Sequence, residues 1–298
     1  MRLIKLLLLG LLCLPGLAQA MNAIFYQPQL RDLSIAAANW PRIFATARQS
    51  GFDTLVMQWT RQGDAFTAPE QQAWLTARLN EAHAAGLKLV IGLSSDPDFF
   101  IKQQQPARLL DSYFNGMART DAKLAQYWIK QLGTDAISGW YLGSEIDDVR
   151  WREPDSRSQL QNWLNRSQKL LHAQGDKPVY VSSFFAGNMA PTQYAAMLEQ
   201  LGHGSGVHIW VQDGAGTAKL NEAERGLYVG AVMQCDSPAA QGIVFELFRQ
   251  TGTDDNFTAE RRTEEEAGHL LRQRAACGGD SVFFSLRYLP GLEGLLPI

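Results

Sequence analysis

The sequence predicts an α/β fold, a closed (β/α)8 TIM barrel whose eighth helix is missing or truncated. Three observations carry that expectation. Eight short apolar runs recur along the chain, each separated from the next by an amphipathic segment. Strands apolar on both faces are what a parallel sheet covered by helices requires. A glycine closes most of the helical segments, where it relieves the left-handed cap. No GxGxxG follows the first run, so the open dinucleotide-binding sheet loses its signature and the count of eight favours the barrel.

The elements follow in order. The first twenty residues stand outside the fold. Arg2 and Lys5 give a positive start, residues 6–14 are almost wholly apolar, and Ala18-Gln19-Ala20 is a small-x-small cleavage site. This is the pattern of a secretory signal peptide, its apolar run too short to span a bilayer. The chain is expected to be cut after Ala20, exported and periplasmic, with residues 21–298 forming a single barrel domain and no membrane span. Strands are expected over 23–27, 54–59, 87–93, 137–143, 179–183, 208–212, 243–245 and 282–286. Helices are expected over 34–49, 69–84, 104–132, 155–174, 191–201, 221–234 and 258–276, with Thr258 as a capped start. Past the eighth strand only residues 289–298 remain, too few for a full helix.

Composition narrows the partners. Without Arg2 and Lys5, 25 basic side chains face 30 acidic ones, a net charge of −5 with no Lys/Arg cluster. Nucleic acid and anionic membranes are therefore poor partners, and a neutral substrate fits. Of three cysteines, Cys13 leaves with the leader. Cys235 and Cys277 each end the segment leading into strand seven or eight, side by side at the barrel's base. A disulfide is expected in an oxidising compartment, two buried thiols being the alternative. No His or Cys cluster at ligand spacing accompanies them, so neither metal nor cofactor is expected.

In this fold chemistry sits where strands end and βα loops begin. Glu145 follows the fourth run, GWYLGSE, and Glu246 stands inside the seventh, IVFELF. Alternation with period two puts Gly139, Tyr141, Gly143 and Glu145 on one face, and Gly242, Val244 and Glu246 on one face. Small residues beneath each acid let it sit over the barrel mouth. Asp213 in VQDGAG either orients a catalytic glutamate or fixes the glycine turn. Asp147 and Asp148 read as a loop pair and Asp96 as a turn residue before Pro97, although Asp147 and Asp96 are also candidates for substrate contact. Tyr26, Trp59, Phe99, Phe100, Trp151, Phe184, Phe185 and Tyr288 follow or terminate strands, where rings can stack on pyranoses. Tyr26, Trp59, Asp96, Ser144, Asp147, Phe184, Trp210, Asp213, Arg287 and Tyr288 make up the expected substrate-contact set. Arg287 and Arg249 are also the arginines that would neutralise Glu246 if it were merely structural. No GxSxG supports a triad hydrolase, and a metal-dependent deacetylase lacks its ligands.

A glutamate after strand four and another at strand seven resembles the arrangement of the (β/α)8 glycoside hydrolases of clan A. The resemblance implies that Glu145 is the acid/base and Glu246 the nucleophile of a retaining mechanism. Two carboxyls about 5–5.5 Å apart give retention, a wider gap inversion. It further implies Glu145 protonated and Glu246 ionised at neutral pH. Clan members usually carry Asn before the strand-four acid, where this chain has Ser144. The chain also resembles exported, glycosidase-like barrels that accompany bacterial exopolysaccharide synthesis. That implies an exopolysaccharide substrate and a partner from the exopolysaccharide machinery. The second reading is a non-catalytic polysaccharide-binding barrel that kept the groove and lost turnover.

Overall fold

A computed structural model describes residues 20–253 and 256–298; the leader expected over residues 1–19 lies outside the described residues. Eight parallel strands close into a barrel. They are β1 (Asn22–Tyr26), β2 (Thr54–Met57), β3 (Lys88–Gly92), β4 (Ile137–Ile146), β5 (Val179–Ser183), β6 (His208–Gln212), β7 (Gly242–Glu246) and β8 (Asp280–Phe284). Closure runs from β8 back to β1, with Ala23 in register with Val282.

Side-chain alternation divides the apolar residues into two layers. Ala23, Phe25, Val56, Val90, Tyr141, Tyr180, Trp210, Val244 and Val282 fill the barrel's interior. The other face of each strand packs on the helices. Inside, Trp210 stacks on Tyr180 with centroids 4.3 Å apart and lies parallel to Tyr141 at 6.1 Å. Gly139 makes this possible, because a Cβ there would lie 2.8 Å from the Tyr180 ring.

The helices are α1 (Trp40–Gln49), α2 (Pro69–Ala84), α3 (Ala107–Leu132), α4 (Pro154–His172), α5 (Pro191–Ser205), α6 (Glu222–Val232) and α7 (Glu264–Leu271). Among the described residues no helix is long and apolar enough to cross a membrane. Three expectations need correction. The helix expected over 34–49 starts only at Trp40, preceded by 3-10 turns at Leu30–Ser34 and Ala37–Asn39, because buried Asp32 holds the earlier segment in place. The helix expected over 104–132 begins after Pro106, which separates it from the short turn Phe99–Lys102; proline disfavours helical backbone in the residue before it. The stretch expected as a helix over 258–276 is mostly something else. Ala259–Arg261 pairs antiparallel with Phe248–Gln250, and the helix starts at a capping box of Thr263 and Glu266 rather than at Thr258. A smaller shift affects α5, which runs past Gly202 to Ser205 before Gly206 takes the left-handed cap.

Among the described residues no α-helix follows β8, only a 3-10 turn at Leu286–Tyr288. The segment 289–298 fills the gap as a tail that buries Leu289, Leu292 and Leu296. Arg31, Arg261 and Arg287 donate to the carbonyls of Ile298, Leu296 and Pro297, so guanidinium groups supply the fixing that helical hydrogen bonds would otherwise give. At the opposite end of the barrel Cys235 and Cys277 form the expected disulfide.

Two stability measurements follow. The disulfide closes a loop with a sequence separation of 42, so reducing it, or replacing both cysteines by serine, should cost about 4 kcal/mol of unfolding free energy in denaturant titrations. The second concerns Asp121 of α3, which is fully buried and accepts hydrogen bonds from Ser94 N at 2.9 Å and Ser94 Oγ at 2.5 Å. Burial outweighs both bonds and raises its carboxyl to about 6. A raised acid stabilises the fold most below its unfolded value and loses that contribution as pH rises through the folded one. Asp121→Asn should therefore remove about 3 kcal/mol of decline in stability between about pH 3 and 7, read as a flatter plot of Tm against pH.

Candidate active site

The mouth of the barrel opens into a cavity of about 530 Å³ lined by both Glu145 and Glu246. Its floor is Phe25, Tyr141 and Val244 of the inner layer. Along the arc of neighbouring strands β4, β5, β6 and β7 it presents Glu145, Ser182, Gln212 and Glu246. Strand β4 is longer than the apolar run suggested, reaching Ile146, so Glu145 is fixed by sheet rather than by loop. Beneath it Gly143 is required by close approach: a Cβ there would lie 2.8 Å from the Ser94 carbonyl oxygen.

Each acid has its own support. Gln212 donates through Nε2 to Glu145 Oε1 at 2.9 Å. Burial is the chief cause raising the Glu145 carboxyl, and Gln212 opposes it. Glu246, only 3% exposed, receives the Gly216 N–H at 2.6 Å. Gly216 has no substitute, since a Cβ there would meet the Phe248 ring at 2.6 Å and Glu246 Oε2 at 2.9 Å. Asp213 anchors the same turn, accepting Ala215 N–H at 3.0 Å and Glu246 N–H at 3.2 Å through Oδ1. The loop after β6 is thus folded around the acid at the end of β7. Asp213 fixes the glycine turn and also holds the Glu246 backbone N–H.

Burial first, and the Asp213 carboxylate second, push the Glu246 carboxyl up to about 8, against the pull of the Gly216 and Thr217 N–H groups. Asp213 itself is raised by burial. This corrects the expectation of an ionised Glu246 beside a protonated Glu145. Burial raises both carboxyls, Glu246 to about 8 and Glu145 in the same direction, with the Gln212 hydrogen bond opposing it there. Neither arginine thought capable of neutralising Glu246 does so. Arg249 pairs with Glu260 and Glu266, and Arg287 pairs with Asp32.

The expected contact set divides. Trp59, Asp96, Ser144, Phe184 and Tyr288 line the cavity, as do Phe99, Phe100 and Phe185. Asp96 does so while paired to Lys102 at 2.8 Å and accepting from Tyr113 Oη at 2.9 Å. Tyr26, Asp147, Trp210 and Arg287 belong elsewhere, and Asp213 supports the Glu246 turn without lining the cavity. Tyr26 faces the helix layer and donates to Asp32, being one residue out of phase with inward-facing Phe25. Asp147 accepts from Gln103 Nε2 and from the Val149 and Arg150 N–H groups, building the β4 loop. Trp210 lies in the inner layer and donates to Asp280 at 3.1 Å. Arg287 is 2% exposed and clamps Asp32, Gln27 O and the tail. Trp151, also expected at the rim, is fully buried against Phe114.

Sequence reasoning missed Gln58, Gln212 and Phe248, all lining the cavity. Gln212 was readable as a strand end, but its hydrogen bond crosses from β6 to β4 and leaves no local pattern. Ser144 Oγ and Gln58 Oε1 are buried without a protein hydrogen-bond partner, and these residues are 3% and 8% exposed. Polar atoms in that state are costly unless a ligand or water completes them.

Comparison with known proteins gives the following. The model of a family described as a domain of unknown function, DUF4434, matches residues 21–266. A protein of Escherichia coli K12 described as uncharacterized, YbcH, is 45% identical over 290 residues, covering 97% of each chain. Among solved structures, a fucosidase-like protein from Bacteroides thetaiotaomicron superposes with a TM-score of 0.64 at 14% identity, covering 96% of this chain and 91% of that one. The catalytic domain of a beta-amylase from Paenibacillus polymyxa gives 0.53 at 10% identity, covering 92% and 94%. At such identities the two structures speak to the fold, a TIM barrel shared with glycoside hydrolases.

The support around Glu246 is open to direct titration. With carboxyl-labelled glutamate, Glu246 should titrate near pH 8 in the free protein. Asp213→Asn keeps an oxygen acceptor for both N–H groups and removes the neighbouring charge, so it should move that midpoint to lower pH.

Proposed function

The chain belongs to the DUF4434 family, whose description assigns no activity, and from the cavity itself we propose that it is a glycoside hydrolase cleaving a neutral polysaccharide with Glu145 and Glu246. One observation carries the proposal: buried Glu246 and half-buried Glu145 share one cavity with partnerless Ser144 Oγ and Gln58 Oε1 and a ring of aromatic side chains. Hydroxyl groups of a sugar complete the polar atoms, and its apolar faces suit the rings.

Hydrolysis of a glycosidic bond needs a proton on the departing oxygen and a stabiliser for the oxocarbenium-like centre. Glu145, held by Gln212 and raised by burial, gives its proton to that oxygen. Glu246, with N–H groups directed at its carboxylate, attacks the anomeric carbon as the anion. Water then enters, Glu145 takes its proton, and the sugar leaves Glu246 with its configuration retained. Only the Glu246 anion attacks, so its proton passes to solvent before the chemical step, and the reactive fraction grows as pH rises toward its midpoint. The leader pattern and the family resemblance extend the proposal to an exported, periplasmic protein acting on an exopolysaccharide, alongside a partner from its synthesis machinery.

A binding-only barrel is the second reading. It has in its favour a Glu246 raised to about 8 and a serine where related hydrolases carry asparagine.

A panel of neutral exopolysaccharides separates the two. Release of reducing ends by the chain, lowered roughly 10²–10⁴-fold in Glu145→Gln and in Glu246→Gln, supports hydrolysis; retained turnover in either variant ends the assignment. Retention of oligosaccharide without new reducing ends selects the binding barrel. For the hydrolase, kcat/KM rises as pH passes upward through the Glu246 midpoint, and Asp213→Asn shifts that limb to lower pH.

A further inference from the structure

The base of the barrel carries a feature that the cavity chemistry does not use. Met21 N lies 2.9 Å from Asp280 Oδ1. The other oxygen of Asp280 accepts from Trp210 Nε1 at 3.1 Å, which ties the carboxylate to the stacked rings inside the barrel. Met21 O accepts from Ser281 N at 2.8 Å, and the Met21 side chain packs against the inner layer. One residue on, Asn22 N donates to Asp53 Oδ2 at 3.2 Å. Space for Asp280 comes from β7, where a Cβ on Gly242 would lie 2.4 Å from the Asp280 carbonyl oxygen and 2.7 Å from its Cβ.

Independently, Ala18-Gln19-Ala20 presents a small-x-small site whose scissile bond joins Ala20 to Met21. We infer that proteolytic removal of the leader at this bond creates an α-ammonium on Met21 that pairs with Asp280 and locks the base of the barrel. A leader peptidase adds water across the peptide bond. Ala20 departs with the new oxygen as a carboxylate, and the Met21 nitrogen gains hydrogen and is protonated at neutral pH. Before the cut, Met21 offers one neutral N–H to Asp280. After it, the same nitrogen offers a charge and three protons, and charge-assisted bonds are about twice as strong as neutral ones.

Position is what makes the inference specific. A cut one residue earlier places the charge beyond the nitrogen that Asp280 reaches, and one residue later removes the Met21 side chain from the inner layer. Asp280 also faces the rings of His208 and Tyr180, whose titrations it perturbs. Asp53, which accepts from Asn22 N, is a further titratable group beside the new terminus.

The test starts from the full chain exported with its leader. Its intact mass should correspond to a first residue of Met21, and any other first residue overturns the inference. The mature protein is then compared with a form retaining Ala20, each with and without Asp280→Asn. Retaining Ala20 should lower Tm by about 2 °C or more in the Asp280 background and leave it unchanged beside Asp280→Asn. An equal fall in both backgrounds, or none in either, overturns the ion pair. If Asp280→Asn does not fold, the α-amine is titrated in the mature protein by nitrogen NMR. A midpoint above the ordinary value of about 8 supports the pair, and one at or below it refutes the pair.

Discussion

A carboxyl buried at the end of a barrel strand is a liability, and the structure around Glu246 is organised to hold one. Desolvation disfavours its charge, and Asp213 close by adds to the burden. Two things make the position tenable. The loop after β6 turns its N–H groups inward, which requires glycine at 216 because any side chain there collides with Phe248 and the carboxylate itself. Gly242 and Val244 beneath Glu246 keep it on the inner face. Remove the loop and the acid has no donors; remove the acid and the loop closes on nothing. The same logic recurs more weakly at Glu145, where a side-chain amide from β6 replaces the backbone donors.

How much of this was written legibly in the chain depends on the range of the interaction concerned. Strand alternation is local, so the inward placement of Glu145, Tyr141, Val244 and Glu246 could be read from spacing. Glycine stops and the short stretch after β8 were local too, and the barrel with its missing helix followed. Tyr26 shows where the reading failed: it ends a strand as Phe25 nearly does, but one residue of phase sends it to the helix layer. Arg287 failed for a different reason. Its partner Asp32 is 255 residues away, and nothing near either residue marks the pair. Asp147 was weighed as a loop builder and is one. The hairpin at Phe248–Gln250 and Ala259–Arg261 was hidden because its second strand is short and polar, and its pairing is settled by the strand opposite.

The missing helix shows how a fold tolerates loss of a standard part. Leu289, Leu292 and Leu296 cover the surface that a helix would have covered. The tail closes part of its own hydrogen bonding, Leu292 N to Leu289 O and the Leu295 and Leu296 N–H groups to Leu292 O, and Arg31, Arg261 and Arg287 add donors from outside the segment. Arg287 serves both sides, holding the tail with one nitrogen and the β1 loop with the other. The rim on that flank is therefore tied down without a helix behind it, next to Tyr288 at the cavity edge.

The stacked rings of Tyr141, Tyr180 and Trp210 leave no lumen through the barrel's axis. Whatever enters from above meets a solid plug, so arrival and departure share one gateway. On the hydrolase reading, a cleaved fragment leaves by the same doorway through which the next chain must come.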